Sequence, residues 1–209
     1  MEQKDTHTKP LSKSQQRRRN DILRAALKVF DREGFEGARI EDVAREAEIA
    51  KGTVYLYFSN KQALLEGVVR DVVSPQIDAV ERTATDVQLT PSERLRRQIK
   101  IIGARLGSGD LKIIMRLMIA EGHKHQELRE FYYQEVVERG MAAISQCLEE
   151  GAKSGAFAKD AATIEPQIFA GTPLLIAVWG LLFQDFAPLD FEQLLNTHCE
   201  QLLRNLEQT

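Results

Sequence analysis

Apolar residues three and four positions apart recur in segment after segment of this chain, and no stretch alternates apolar with polar as a half-buried strand would. That periodicity restricts the chain to an all-α fold. From Asn20 to Glu33, Ile22, Leu23, Ala26, Leu27, Val29 and Phe30 form one stripe, which Gly34 ends. A short helix follows with Ile40, Val43, Ala44 and Ala47 inward, then a break at residues 48–50, then a second short segment carrying Val54 and Phe58. A fourth helix begins at Lys61 behind Asn60 as cap, with Leu64, Leu65, Val68 and Val69 inward and Pro75 as its kink or end. Thr90-Pro91-Ser92-Glu93 has the spacing of a capping box with Pro in the first turn, and predicts a fifth helix running to about Leu106. Asp110 reads as the cap of a sixth helix through Glu121. A seventh covers about 126–153, with Gly151 and Gly155 suited to its C-terminal turn. Pro166 to Phe186 is apolar nearly all round, and Leu189 to Leu206 supplies the last stripe, so about nine helices are expected and no 20 to 50 residue repeat.

Charge divides the chain. Residues 1–61 hold thirteen Lys and Arg against ten Asp and Glu; the rest holds fifteen against twenty-one. The excess is sharpest in residues 1–28, where Lys4, Lys9, Lys13, Arg17, Arg18, Arg19, Arg24 and Lys28 face three acidic residues, and reads either as a solvated tail or as an arm for a polyanion. The longest apolar stretch, Ile168 to Phe183, is short for a membrane helix and contains Pro173. With no apolar run near the N-terminus of the kind a secretion signal needs, a cytoplasmic protein is expected. Cys147 and Cys199 fit no metal-ligand spacing, and His123 and His125 are two apart, so they do not share a helical face; neither metal nor cofactor is expected. No HExxH, paired ExxH, GxSxG, P-loop or GxGxxG occurs, which leaves an enzyme without candidate residues.

The informative stretch lies between Arg39 and Lys61. Two short helices joined by a tight turn are the helix-turn-helix geometry, whose second helix lies in the DNA major groove. The second helix here reads Lys51-Gly52-Thr53-Val54-Tyr55-Leu56-Tyr57-Phe58. Only Val54 and Phe58 form its apolar side, so Thr53, Leu56 and Tyr57 share the opposite face with Tyr55 at its flank, and Lys51 and Gly52 stand at its N-terminus. Lys61 adds a charge at the start of the next helix.

The stretch Ile22 to Val69, with IEDVAREAEIAKGTVYLYFSNKQALL within it, resembles the TetR-like (tetracycline-repressor) family of bacterial transcription regulators. The resemblance implies an N-terminal three-helix DNA-binding domain, taken as residues 1–60, and a helical ligand-binding and dimerisation domain, taken as 61–209. It implies a homodimer through the last two helices on a double-stranded, pseudo-palindromic operator, released by a small-molecule effector as a repressor's default. Carried over by position, Lys51, Gly52, Thr53 and Tyr55 fall on base- or phosphate-reaching positions of the recognition helix. Tyr57 and Lys61 fall on backbone-contacting positions, and Arg17, Arg18 and Leu56 complete the expected DNA-facing set. Two positions depart from the pattern: Glu48 stands where the turn usually has Gly, and Arg39 where Ser or Thr usually caps the second helix, so that Arg39 either contacts phosphate or stays solvated. For the effector pocket the candidates are Met115, Met118, Phe131, Tyr132 and Trp179 as lining and Arg116, Glu121 and His123 as polar anchors, although a Met or aromatic at helical spacing is more often plain core. The contrasting reading is a helical protein-interaction bundle without specific DNA binding.

Overall fold

The computed structural model describes residues 11–107 and 109–207. Lys4 and Lys9 of the basic arm lie outside them. The described residues are helical with no strand, and they divide into two compact units, up to Val68 and from Val69.

In the first unit α1 spans Lys13–Gly37. It starts seven residues before the expected Asn20 because Ser12 and Gln15 close a capping box: Ser12 Oγ accepts from the Gln15 N–H at 3.3 Å, and Gln15 Oε1 from the Ser12 N–H at 2.8 Å. Gly34 interrupts it at φ 70°, a left-handed conformation that glycine adopts without a Cβ penalty. α2 covers Ile40–Glu46, α3 Lys51–Tyr55, and α4 Lys61–Val72. Ile22, Leu23, Ala26, Val29 and Phe30 of α1 are buried, as are Val43 of α2, Val54 of α3, Phe58, and Leu64 and Leu65 of α4. Gly67 allows a close approach, since a Cβ there would fall 2.6 Å from Phe58 Cε1. The first turns of α4 therefore pack in this unit, which is why the compact division falls within α4 and beyond residue 60.

In the second unit an element not expected from the sequence, α5, spans Ser74–Ala84. Pro75, read as the kink or end of the fourth helix, sits in the first turn of this one, where its missing N–H costs nothing. α6 spans Pro91–Gly103, and the expected box is present: Thr90 Oγ1 accepts from the Glu93 N–H at 3.3 Å and the Glu93 carboxylate from the Thr90 N–H at 2.8 Å. α7 covers Gly109–Glu121; Asp110 lies inside its first turn and is not its cap. α8 (Gln126–Tyr132) and α9 (Arg139–Ser154) are joined by a π-helical segment, Tyr133–Glu138, so the expected seventh helix contains one wide turn. Gly155 ends α9 left-handed at φ 75°, whereas Gly151 lies inside the helix. The expected eighth helix divides into a 3-10 segment, Pro166–Ala170, and α10, Gly171–Leu182; α11 spans Phe191–Glu207.

α6 carries the centre of this core through Leu95 and Ile99, packed with Ile144, Leu148, Phe169, Ile176, Leu195 and Cys199. Buried Gln98 of α6 donates from Nε2 to the Val80 carbonyl of α5 at 3.3 Å and the Ala143 carbonyl of α9 at 3.1 Å, tying three helices. Arg139 gathers the carboxylates of Asp78, Glu81 and Glu135 at 2.6 to 3.3 Å. α10 has two faces. Pro173, Ile176, Ala177 and Gly180 are buried, while Leu175, Val178 and Leu182 are exposed. The all-apolar stretch thus keeps one side uncovered by the rest of the described chain.

Candidate nucleic-acid interface and effector cavity

The turn between α2 and α3 positions the residues expected to face DNA. After Glu46 the Ile49 N–H bonds to the Ala44 carbonyl at 2.9 Å and the Glu48 N–H to the Arg45 carbonyl at 3.1 Å, the two bonds of a Schellman motif. Such a motif places its C′ residue left-handed, and Glu48 is there at φ 53°, the only non-glycine with positive φ among the described residues. Replacing Glu48 by Gly should remove roughly 1 kcal/mol of local strain, part of it offset by the freer unfolded chain. Thermal unfolding should show a rise of about 2 °C. An unchanged or lower Tm would mean that Glu48 is not strained.

Arg39, at the N-cap of α2, makes no side-chain capping bond and is exposed; Glu41 and Asp42 supply the negative charge that favours a helix N-terminus. On α3, Val54 is buried and packs inward with Phe58, while Lys51, Gly52, Tyr55 and Leu56 face solvent, Leu56 at 81% exposure. Thr53 and Tyr57 are half-buried. The exposure of Tyr55 sets it apart from a core aromatic. Lys51 is ion-paired with Glu41 and lies 5.7 Å from the Tyr55 ring centroid. Its pairing holds the Glu41 carboxyl below its ordinary range. Lys61 turns back, donating to the Glu36 carbonyl at 2.9 Å and lying over the Phe35 ring. Arg17 and Arg18 are exposed on α1, and Arg19 lies over the Phe58 ring at 5.5 Å.

The second unit encloses an apolar cavity of about 220 Å³. α5 contributes Gln76, Ile77 and Val80, α6 contributes Ile102, and α7 contributes Leu111 and Met115. Tyr132, Val136, Val137, Gly140 and Met141 follow along the α8, π and α9 segment, and Ala170, Pro173 and Leu174 close the space. No lining residue is charged. Gln76, Tyr132 and Gln167 are the polar members, and Tyr132 Oη already donates to Met115 Sδ at 3.4 Å. Burial pushes the Tyr132 phenol up to about 12, so it stays a neutral hydroxyl.

Of the sequence-derived pocket candidates, Met115 and Tyr132 line this cavity. The other six do not. Trp179 instead donates from Nε1 to the Ala187 carbonyl at 2.7 Å and meets Phe183 edge-on, closing the turn after α10. Phe131 lies beneath the Arg70 guanidinium at 4.5 Å. Arg116 and His123 are exposed, and Met118 and Glu121 are half-buried elsewhere. What the sequence reading missed is the α5 side and the π segment, whose small and branched apolar residues carry no signal separating a cavity wall from a filled core.

Residues 22–68 match the model of the family described as bacterial regulatory proteins, tetR family. Over 188 residues the chain is 25% identical to a fatty acid metabolism regulator protein of Bacillus subtilis, covering 88% of this chain and 93% of that one. It is also 34% identical over 86 residues to the transcriptional repressor NicS of Pseudomonas putida, covering 41% and 40% of the two chains. Among solved structures, the transcriptional regulator FadR from Bacillus subtilis in complex with stearoyl-CoA superposes with a TM-score of 0.72 at 25% identity, over 90% of this chain and 98% of that one.

Proposed function

This chain belongs to the TetR-like family of bacterial transcriptional regulators, and we propose that as a homodimer it represses from a pseudo-palindromic operator until an apolar-chained effector fills the cavity of its second unit. The observation that carries the reading is the pairing of two features: a recognition helix that leaves Lys51, Gly52, Tyr55 and Leu56 to solvent, and an apolar cavity with no charged lining. Residues 1–60 would read DNA and 61–209 would bind effector and partner, with Lys51, Gly52, Thr53, Tyr55, Leu56 and Tyr57 toward the groove and Arg17, Arg18, Arg39 and Lys61 toward phosphate. Lys61 must release the Glu36 carbonyl to do so, or act through its charge alone. Dimerisation is supported by the uncovered face of α10, since an exposed apolar patch beside polar surface marks an association site.

A fatty acyl chain suits the cavity on physical grounds. At about 220 Å³ the space lies below the roughly 300–1,000 Å³ of drug-sized sites, and with no charged lining it suits a small apolar group or part of an alkyl chain. The names of the Bacillus subtilis relative and of the stearoyl-CoA complex support the same class. An effector that binds one conformation of the protomer better than another shifts the population toward it, and α4, continuous from Lys61 to Val72, is the element that passes from one unit into the other. No described helix is long and apolar enough to cross a membrane. A cytoplasmic place follows from the work proposed, which is binding and requires no reaction.

Fluorescence anisotropy on duplexes tiling the DNA beside the coding region tests this reading. We expect competitor-resistant binding to one imperfect palindrome at two protomers or a multiple, with log affinity falling against log salt by about 0.9 per phosphate neutralised. Adding an acyl-CoA should release the duplex, and the operator should weaken acyl-CoA binding by the same factor. Tight operator binding unmoved by any acyl chain would overturn the effector class. Absence of duplex binding at low salt would overturn the regulator reading itself.

A further inference from the structure

One stretch of chain serves the cavity on one side and the end of α4 on the other. Tyr132, Val136 and Val137 line the cavity, while their neighbours Phe131 and Glu135 meet the junction of α4 and α5. Phe131 lies under the guanidinium of Arg70, in the last turn of α4. The Glu135 carboxylate accepts from Ser74 Oγ at 2.8 Å and from Arg139 Nη1 at 3.3 Å, and lies 3.8 Å from Arg70 Nε. Val73, between Arg70 and Ser74 in the chain, is buried in the cavity wall, and its N–H bonds back to the Val69 carbonyl at 2.7 Å. The last turn of α4 is thus held by the same wall that a group in the cavity would press on.

These contacts differ in firmness along the segment. Arg139, just past its end, is bound to α5 through Asp78 and Glu81, both at 2.6 Å. That end is pinned. Arg70 is half-exposed, and 3.8 Å is longer than a hydrogen bond, so a shift of about 1 Å closes or breaks its hold on Glu135. Coupling between sites needs an element with two arrangements that both sites bias, and a clasp closed on Arg70 or withdrawn from it is such an element. The cavity lies between α5, with Ile77 and Val80, and the π wall, with Tyr132 and Val136. A group entering it parts the two walls, and with Arg139 as pivot they part at the Arg70 end. We infer that Arg70, clasped by Phe131 and Glu135, is the residue through which filling the cavity acts on α4: the filled cavity opens the clasp and frees the last turn of that helix. This deepens the reading of the cavity as the effector site and rests on it.

The test fills the cavity of the full chain in two ways, with decanoyl-CoA and with Gly140→Leu, where a Cβ would meet Ile77 Cδ1 at an ordinary 3.8 Å. Hydrogen exchange over residues 69–75 reads the clasp without DNA, and anisotropy reads operator affinity. In the parent, filling should speed that exchange at least threefold and weaken operator binding at least tenfold. Arg70→Gln should exchange fast with the cavity empty, respond less than twofold to either filling, and bind decanoyl-CoA at least as tightly as the parent, because the ligand no longer has to open the clasp. A merely damaged structure would not keep or gain that affinity. Arg70→Lys, which retains the charge, should restore most of the response. Circular dichroism verifies each fold, and decanoyl-CoA alone suffices if Gly140→Leu does not fold. A response to Gly140→Leu alone would overturn the acyl class and still decide the clasp by the same comparison. An Arg70→Gln protein that responds as the parent does would overturn the clasp and leave the cavity reading standing. If neither filling moves the parent, the cavity reading fails and the clasp falls with it.

Discussion

Lys51→Glu should weaken operator binding at least a hundredfold while leaving the fold intact. The residue opens α3, is exposed, and packs on nothing that the first unit's core needs, so the substitution should change stability by no more than about 0.5 kcal/mol. At the DNA the change counts twice, because each half-site of a two-fold complex loses a cation and gains an anion facing phosphate. The ion pair with Glu41 sharpens the effect. On docking, Lys51 of the parent would exchange one carboxylate for a phosphate; in the variant residues 41 and 51 would both be acidic, with Arg39 the cation left beside Glu41. Lys51→Ala should be milder and should reduce the salt slope by about 1 per protomer. Glu41→Gln should strengthen binding, since it releases Lys51 without removing it. Anisotropy across a salt series reads all three, and a Lys51→Glu protein within threefold of the parent would remove this residue from the interface.

The second large effect is expected at the uncovered face of α10. Leu175 and Leu182 are seven residues apart on one stripe with Val178 between them, and Leu182 is 59% exposed in the protomer. Glutamate at both positions places two like charges against their symmetry mates in a two-fold interface, which should dissociate the dimer at micromolar concentration. Operator affinity should then fall by two orders of magnitude or more, because a second half-site is gained cheaply only when it is tethered to the first. Sedimentation velocity and anisotropy measure the two consequences separately. A variant that remains dimeric would locate the interface elsewhere; a monomer that keeps full operator affinity would sever dimerisation from DNA reading.

Local chemistry was legible in the sequence where one residue type has one use. The Thr90 box, the left-handed Glu48 and the uncapped Arg39 all occur where the pattern placed them. The stripes of α1 and α4 likewise separated buried from exposed positions. Pro75 was ambiguous, because the same residue kinks or ends one helix or begins the next, and reading it as a kink or end concealed α5 and with it one wall of the cavity. Aromatic residues misled in a different way. Trp179 and Phe131 are large enough to line a pocket, yet a hydrogen bond to Ala187 and a guanidinium from Arg70 hold them elsewhere. Of the three carboxylates that Arg139 gathers, only Glu135, four residues before it, was within reach of the sequence pattern; Asp78 and Glu81 lie on a helix the periodicity did not reveal.

The wide turn at Tyr133–Glu138 sets how the cavity could change over generations. Tyr132 precedes that turn and Gly140 and Met141 follow it, and all three face the same space because the turn holds one residue more than an α-helix would. Loss of a single codon within it would restore a regular helix without turning the flanks, because the wide turn already absorbs its extra residue; Tyr132 and Gly140, then seven residues apart, would still lie within about 20° of one another at 3.6 residues per turn. What would change is the middle of the wall, where Val136 and Val137 now stand. A chain with such a turn beside its cavity can shorten the centre of one wall in a single genetic step while both ends of that wall, and α3, stay as they were.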